Sequence, residues 1–190
     1  AGGHVRGTVA TMPLVPAVID QVGQTPVIAA GGIADGRGLA AALALGAGAG
    51  WIGTRFLASQ EATVHPDYQA HILQKSETDT VYLHNLFDGG WPDAPHRVLC
   101  NSTVDLWRAA GCPASGARPG EGDVIARSHQ QGDILRYSCA SPPPDARGDI
   151  EALSMWAGQT VGLVRCVQPA ADIVHDIMEE TKHVISQLSP

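Results

Sequence analysis

Pro26-Val27-Ile28-Ala29-Ala30-Gly31-Gly32-Ile33-Ala34-Asp35-Gly36 opens as a short unbroken apolar run, closed by proline at one end and a glycine pair at the other. Such a run suits a strand buried on both faces, as in a parallel sheet. Asp35 then stands where a helix N-cap is wanted. Leu39, Ala42, Leu43 and Gly46 follow at helical spacing, and Gly46 is placed to cap the C-terminus. A second apolar strand is expected to begin at Trp51-Ile52-Gly53. The distance between the two runs suits a right-handed crossover. Upstream, residues 15–22 read as a short helix that starts at Pro13 or Pro16, since proline near a helix start lacks only an N–H that would be free anyway. Loop, helix, strand, helix, strand is the alternation of a doubly wound sheet or a barrel.

Beyond residue 62 the character changes. Residues 63–148 hold most of the Pro, Gly, Asp, Arg and His. Asp79 to Asn85 alternates like an exposed strand, and Val98-Leu99 and Val124-Ile125 are further strand candidates. Ser141-Pro142-Pro143-Pro144-Asp145 breaks any regular element. The segment reads as a loop-rich excursion without a second large core. Residues 149–162 return to helix and turn. Pro169 suits the first turn of a last helix, with Ile173, Ile177, Val184, Ile185 and Leu188 as its apolar stripe.

Composition narrows the classes. The net charge of −7 argues against nucleic acid, whose binders cluster Lys and Arg. No apolar window is long enough to span a bilayer. Cys100, Cys112, Cys139 and Cys166 form no CxxC pair, and no His stands at zinc-ligand spacing from two of them. Free thiols in a reducing cytoplasm, and no metal site, are expected. A whole (β/α)8 barrel takes about 250 residues. This chain has 190, begins at Ala1 inside a glycine loop and lacks an initiator Met, so it is expected to be part of a longer barrel.

Three glycine sites carry the chemistry: Ala1-Gly2-Gly3-His4, Gly31-Gly32 and Gly53-Thr54. The second and third follow apolar strands, which puts them at the C-terminal ends of neighbouring strands. In barrels that rim is catalytic, and the last loops on it bind phosphate. Without a Cβ, backbone N–H groups approach a phosphate closely, and Thr54 adds a hydroxyl donor. The plainer alternative is that these glycines only make tight turns. The run Gly46 to Gly53 resembles a dinucleotide-binding loop, but it follows a helix and opens a strand, the reverse of what that motif needs. His4 suits a general base, because imidazole titrates near neutral pH. A hydrogen-bonded turn His is the alternative.

These strings together resemble the nitronate monooxygenases, once called 2-nitropropane dioxygenases. The likeness runs through Ala-Gly-Gly-His-Val-Arg-Gly (1–7), residues 13–18, 26–38 and 53–59, Glu61, residues 86–97, Trp156-Ala157-Gly158-Gln159 and Gly162-Leu163-Val164-Arg165. It implies the C-terminal part of an FMN-binding TIM barrel over residues 1–62. A smaller loop-rich α+β subdomain over 63–148 would cover the substrate, inserted before a return segment and last helix over 149–190. It implies FMN phosphate held at Gly31, Gly32, Gly53 and Thr54, with Gly2 and Gly3 also binding the cofactor, His4 as the catalytic base, and oxidation of alkyl nitronates with O2 to carbonyl compounds and nitrite. Trp91 and His96 would be lid residues, and Gln159 would face the site from a glycine turn. The absent strands imply weak FMN binding by this chain alone. A homo-oligomer stays open. So do three other readings: a related FMN-dependent enoyl-acyl-carrier-protein reductase or NADH:quinone reductase, a phosphate-ligand barrel without flavin, and an inactive fragment.

Overall fold

A computed structural model describes residues 3–5 and 7–188. The first elements are β1 (Gly3–His4), α1 (Thr11–Val22), β2 (Ile28–Ala30), α2 (Gly36–Ala44) and β3 (Ala49–Trp51). β2 and β3 pair in parallel, Ile28 opposite Ala49 and Ala30 opposite Trp51, so the expected crossover forms. Asp35 caps α2, its carboxylate accepting the Gly38 N–H at 3.0 Å. β3 begins two residues earlier than expected, and the bare backbone of Gly50 lets α2 pack close on it. A Cβ there would lie 3.0 Å from the Leu39 side chain. α1 also starts early, at Thr11. Pro13 falls in its first turn, where the missing N–H costs nothing, and Pro16 sits inside it.

One expectation fails on the small parallel sheet. Ala29 is buried among Val15, Ile33, Leu39, Ile173 and Ile177, but Ile28 and Ala30 on the other face of β2 are exposed. Among the described residues only one face of this sheet is covered.

The middle of the chain holds α3 (Pro66–Gln74), β4 (Thr80–Leu83), β5 (His96–Leu99), α4 (Ser102–Ala109), β6 (Val124–Ser128), β7 (Gly132–Leu135) and β8 (Arg147–Gly148). Two antiparallel sheets result, ordered β1-β5-β4 and β7-β6-β8. β4 is half-buried rather than exposed. Contrary to the sequence reading, this region has a core. Leu86, Phe87, Val98 and Val104 are wholly buried. A second cluster joins Tyr68, Ile72, Leu99, Leu153 and Met155. In the sequence, apart from the strand candidate Val98-Leu99, these residues are scattered singly or in pairs among Pro, Gly and polar neighbours, so no sustained periodicity announces them. Residues 149–158 run as turns, and a 3-10 helix follows at Gln159–Leu163; no α-helix forms there.

The last helix, α5 (Ala170–Leu188), packs on α2. Its buried stripe is Ile173, Ile177 and Thr181. Ile185 and Leu188 face solvent, which shortens the expected stripe. Among the described residues no helix is long and apolar enough to cross a membrane.

Candidate functional site

The strand ends bring the predicted residues together. Gly3, Gly31, Gly32, Gly53 and Thr54 line one cavity of about 280 Å³, with Trp51, Tyr68 and Trp156 among its other walls. Gly2 lies outside the described residues. The backbone of His4 is in β1, while its side chain lies outside the described residues.

Local conformation explains the glycine pair. Gly31 and Gly32 follow β2 with φ of 91° and 77°, the left-handed region that costs a residue with a Cβ dearly. Gly53 differs. Its φ of −106° is open to any residue, and a Cβ there would meet no atom within 4 Å. Neither backbone nor packing demands glycine at 53. Among the described residues, no hydrogen bond engages the backbone N–H of Gly32 or Gly53. Thr54 opens a 3-10 helix over Thr54–Ala58 and is buried. Its hydroxyl oxygen accepts the Gly158 N–H at 3.0 Å, which leaves the hydroxyl proton to be given elsewhere. The site is therefore a concave surface of donors with bare backbone, the arrangement that takes an oxyanion.

The start of α2 is not part of that donor set. Its N–H groups already have carboxylate partners: Gly38 bonds Asp35, and Gly36 donates to Glu180 at 2.7 Å. Burial works against the Asp35 charge, but the Arg37 guanidinium and the Gly38 N–H outweigh it and hold the carboxyl below its ordinary value. Arg55, beside Thr54, is buried but spoken for, since it donates to Gln168 and to the Cys166 carbonyl. It fixes the loop and does not face a ligand.

Two wall residues had no signal in the sequence. Tyr68 on α3 is 1% exposed, and its hydroxyl donates to the Trp156 carbonyl. Burial pushes that phenol up, so it stays a neutral donor. Trp156 carries no pattern beyond the family likeness, and its bridge to Val98 is a purely tertiary event. A wider cleft of about 1000 Å³ adjoins the cavity and shares Gly31, Gly32 and Thr160 with it. Tyr82, Arg97, Gln159 and Arg165 line it. Gln159 faces this cleft and not the smaller cavity. Gly3, Gly53 and Thr54 belong to the smaller cavity alone.

The lid expectation divides. Trp91 is 47% exposed on the segment after Leu86. His96 is wholly buried in β5 and is no lid. The strand pairs with β4 and β1 and takes His96 inside. Arg118 anchors the Leu86 segment from below, donating to the Leu86 carbonyl at 2.8 Å and to Asp88 at 2.6 Å. The four cysteines are free. Among the described residues no three His, Cys, Asp or Glu side chains gather as a metal site would need.

The family model for nitronate monooxygenase matches residues 1–180. The chain is 36% identical over 200 residues to nitronate monooxygenase npaC of Metarhizium robertsii, covering 98% of this chain and 51% of that protein. In structure it is similar to FabK from Thermotoga maritima, with a TM-score of 0.71 and 36% identity, covering 99% of this chain and 53% of that one. It is also similar to nitroalkane oxidase from Streptomyces ansochromogenes, with a TM-score of 0.70 and 25% identity, covering 100% and 51%. The chain spans about half the length of the curated relatives it matches.

Proposed function

The chain belongs to the nitronate monooxygenase family, and from that premise we propose that it holds FMN by its phosphate and serves the oxidation of alkyl nitronates with O2 to carbonyl compounds and nitrite. The observation that carries this reading is convergence. Gly3, Gly31, Gly32, Gly53 and Thr54 stand far apart in sequence and line one cavity. We read β2-α2-β3 as two successive units of a (β/α)8 barrel, with the cavity at the strands' C-terminal ends, where barrel sites lie.

The residues present fit a flavin phosphate. The N–H groups of Gly32 and Gly53 and the Thr54 hydroxyl supply donors. The open space at Gly53 is what a ligand in close backbone contact requires. Bound flavin supplies the redox step, taking electrons from the nitronate as O2 is consumed. The protein's own part is to bind, to shield and to move a proton. Tyr68 and Trp156 wall the cavity with apolar surface and keep water from the reacting carbon. His4 takes the acidic α-proton of a nitroalkane onto an imidazole nitrogen and leaves the nitronate. When nitronate is supplied ready-made, His4 orients it.

The test is a titration of the chain with FMN, followed by flavin fluorescence, and then oxygen uptake with a nitroalkane and with its preformed nitronate. His4→Ala is expected to cost about 10²-fold or more with the nitroalkane and much less with the nitronate. Equal loss on both would remove His4 from the proton transfer. No flavin binding, by this chain or by a full-length relative carrying the same glycine sites, would sink the reading.

A second reading is a flavin-dependent enoyl-thioester reductase. The likeness to FabK and the wide cleft beside the glycine cavity, roomier than a small nitronate needs, favour it. Nicotinamide oxidation driven by an enoyl thioester, with no nitronate turnover, would decide for it.

A further inference from the structure

β1 and β5 meet in a defined register, with Gly3 opposite Arg97 and His4 opposite His96. The Val5 N–H donates to the Pro95 carbonyl at 2.7 Å, so the next position along is the hydrogen-bonded kind. Alternation then makes His4 and His96 a non-hydrogen-bonded pair, the kind in which the two chains approach more closely.

His96 is 0% exposed. Its Nδ1 lies 2.9 Å from the Ala94 carbonyl, and its Nε2 accepts the Phe87 N–H at 3.4 Å. Only a ring with its proton on Nδ1 and a lone pair on Nε2 makes both bonds. That ring is neutral, and its tautomer is fixed. It stands edge-on to Trp156, with ring centroids 5.2 Å apart. Trp156 lines the glycine cavity. His96 is therefore one layer behind the wall and directly across the ladder from His4.

We propose that His96 is a positioning residue for the base at His4: a neutral imidazole of fixed tautomer whose place in the register sets the protonation of His4. The proposal rests on the reading of His4 as a base. The other ionisable groups on the surrounding elements have partners of their own. Arg97 donates to Thr80 at 3.0 Å, and Tyr82 to the Val5 carbonyl at 3.1 Å. Tyr68 donates to the Trp156 carbonyl, and Arg118 pairs with Asp88 behind Phe87. His84 stacks edge-on against Tyr82 at the far side of β4. None of these occupies the position opposite His4; His96 does.

The test is ¹⁵N-imidazole NMR of the 190-residue chain, assigned with His4→Ala and His96→Asn and followed from roughly pH 5 to 9, the range in which imidazole titrates. In the wild type, His96 should keep its Nδ1 proton throughout, while its Nε2 resonance shifts with the His4 midpoint. His96→Phe should lower the His4 midpoint by about half a unit or more, because an apolar neighbour penalises imidazolium. His96→Asn keeps a neutral donor to Ala94 and should restore most of that shift. A His96 resonance that ignores the His4 titration in the wild type overturns the proposal, and that arm needs no variant to fold. So does a His4 midpoint unchanged in a folded His96→Phe chain. None of these readouts uses flavin or nitronate. Failed turnover with coupled histidines would refute the function reading alone, and turnover with uncoupled histidines would refute this one alone.

Discussion

A methyl group added at Gly53 would meet no atom within 4 Å, whereas at Gly36 it would fall 2.4 Å from the Thr181 backbone nitrogen. The same substitution therefore separates two reasons for glycine. Gly53→Ala is expected to leave the thermal midpoint unchanged or slightly raised, since alanine accepts that backbone and stiffens the unfolded chain. On the proposed phosphate site it should weaken FMN binding about tenfold or more, since the added carbon would occupy space that the phosphate oxygens would need. Gly36→Ala should cost about 1–3 kcal/mol of stability, because overpacked backbone has little room to yield. Thermal melts paired with flavin titrations read both, and full affinity in Gly53→Ala would remove the phosphate cradle. The glycine pair after β2 was legible in the sequence because a strand run and a helix cap flank it. The role of Gly36 was not, because its partner lies 145 residues away. Charge gives a second test at this scale. The Arg118 guanidinium beside Glu121 outweighs burial and holds its carboxyl down at about 2, against an ordinary 4.5. A carboxyl depressed in this way stabilises the fold fully above pH 4.5, and the contribution is lost as pH falls toward 2. Glu121→Gln should thus be less stable than wild type at neutral pH, and the gap should narrow in urea melts below pH 4.5. A gap that stays constant down to pH 2 would show that the Arg118 pairing contributes nothing.

At the scale of elements, the contact between α2 and α5 holds the glycine loops in place. Glu180 on α5 accepts the Gly36 N–H at 2.7 Å, so one helix caps the other. The Thr181 hydroxyl lies 2.6 Å from the Ile177 carbonyl and 3.3 Å from that of Gly36. Sequence periodicity found α5 and its first two buried residues, Ile173 and Ile177. It overshot at Ile185 and Leu188, which are apolar yet 43% and 73% exposed. It passed over Thr181, which is polar yet buried because its hydroxyl bonds to its own helix. A hydropathy stripe registers apolar side chains and is blind to a hydroxyl that is satisfied locally. The consequence is measurable. Ile177→Ala should cost about 2–5 kcal/mol, the usual loss for a truncated core isoleucine. Ile185→Ser should stay within about 0.5 kcal/mol of wild type, as exposed changes do. Chemical denaturation of the two variants checks the pair. A large loss at Ile185 would mean that the far end of α5 is covered in solution. The antiparallel strands of the middle segment were found only in part, as at Val98-Leu99 and Val124-Ile125. α3 and α4 escaped notice, since each is short and its apolar residues make sense only against partners far along the chain.

Across the whole molecule, the parallel pair β2–β3 presents one covered face and one bare face. Ala29 points into the cluster with Ile173 and Ile177, while Ile28 on the other side is 55% exposed and Trp51 70%. The sequence announced strands of the kind that parallel sheets bury on both sides, and that is why the fold class was legible at once. A run of apolar residues states that cover is needed without stating what supplies it. Parallel strands normally have both faces covered, and a bare face with unpaired edges is a template for association. The chain is accordingly expected to self-associate through this face as its concentration rises. Ile28→Thr with Trp51→Ser should reduce that association and leave the helical circular-dichroism signal intact, because neither side chain belongs to the buried cluster beneath. Sedimentation velocity over a wide concentration range reads the outcome. A sedimentation coefficient that climbs for the wild type and stays level for the double variant assigns the association to the β2–β3 face. A wild-type chain that stays monomeric throughout would mean that two large exposed side chains on a two-stranded sheet are too small a patch to hold copies together. The flavin titration joins the two scales, since Gly31-Gly32 and Gly53 sit at the ends of these same strands. If association through the bare face displaces the strand ends, FMN affinity should fall with protein concentration in the wild type and hold steady in Ile28→Thr alone, since Trp51 also walls the cavity.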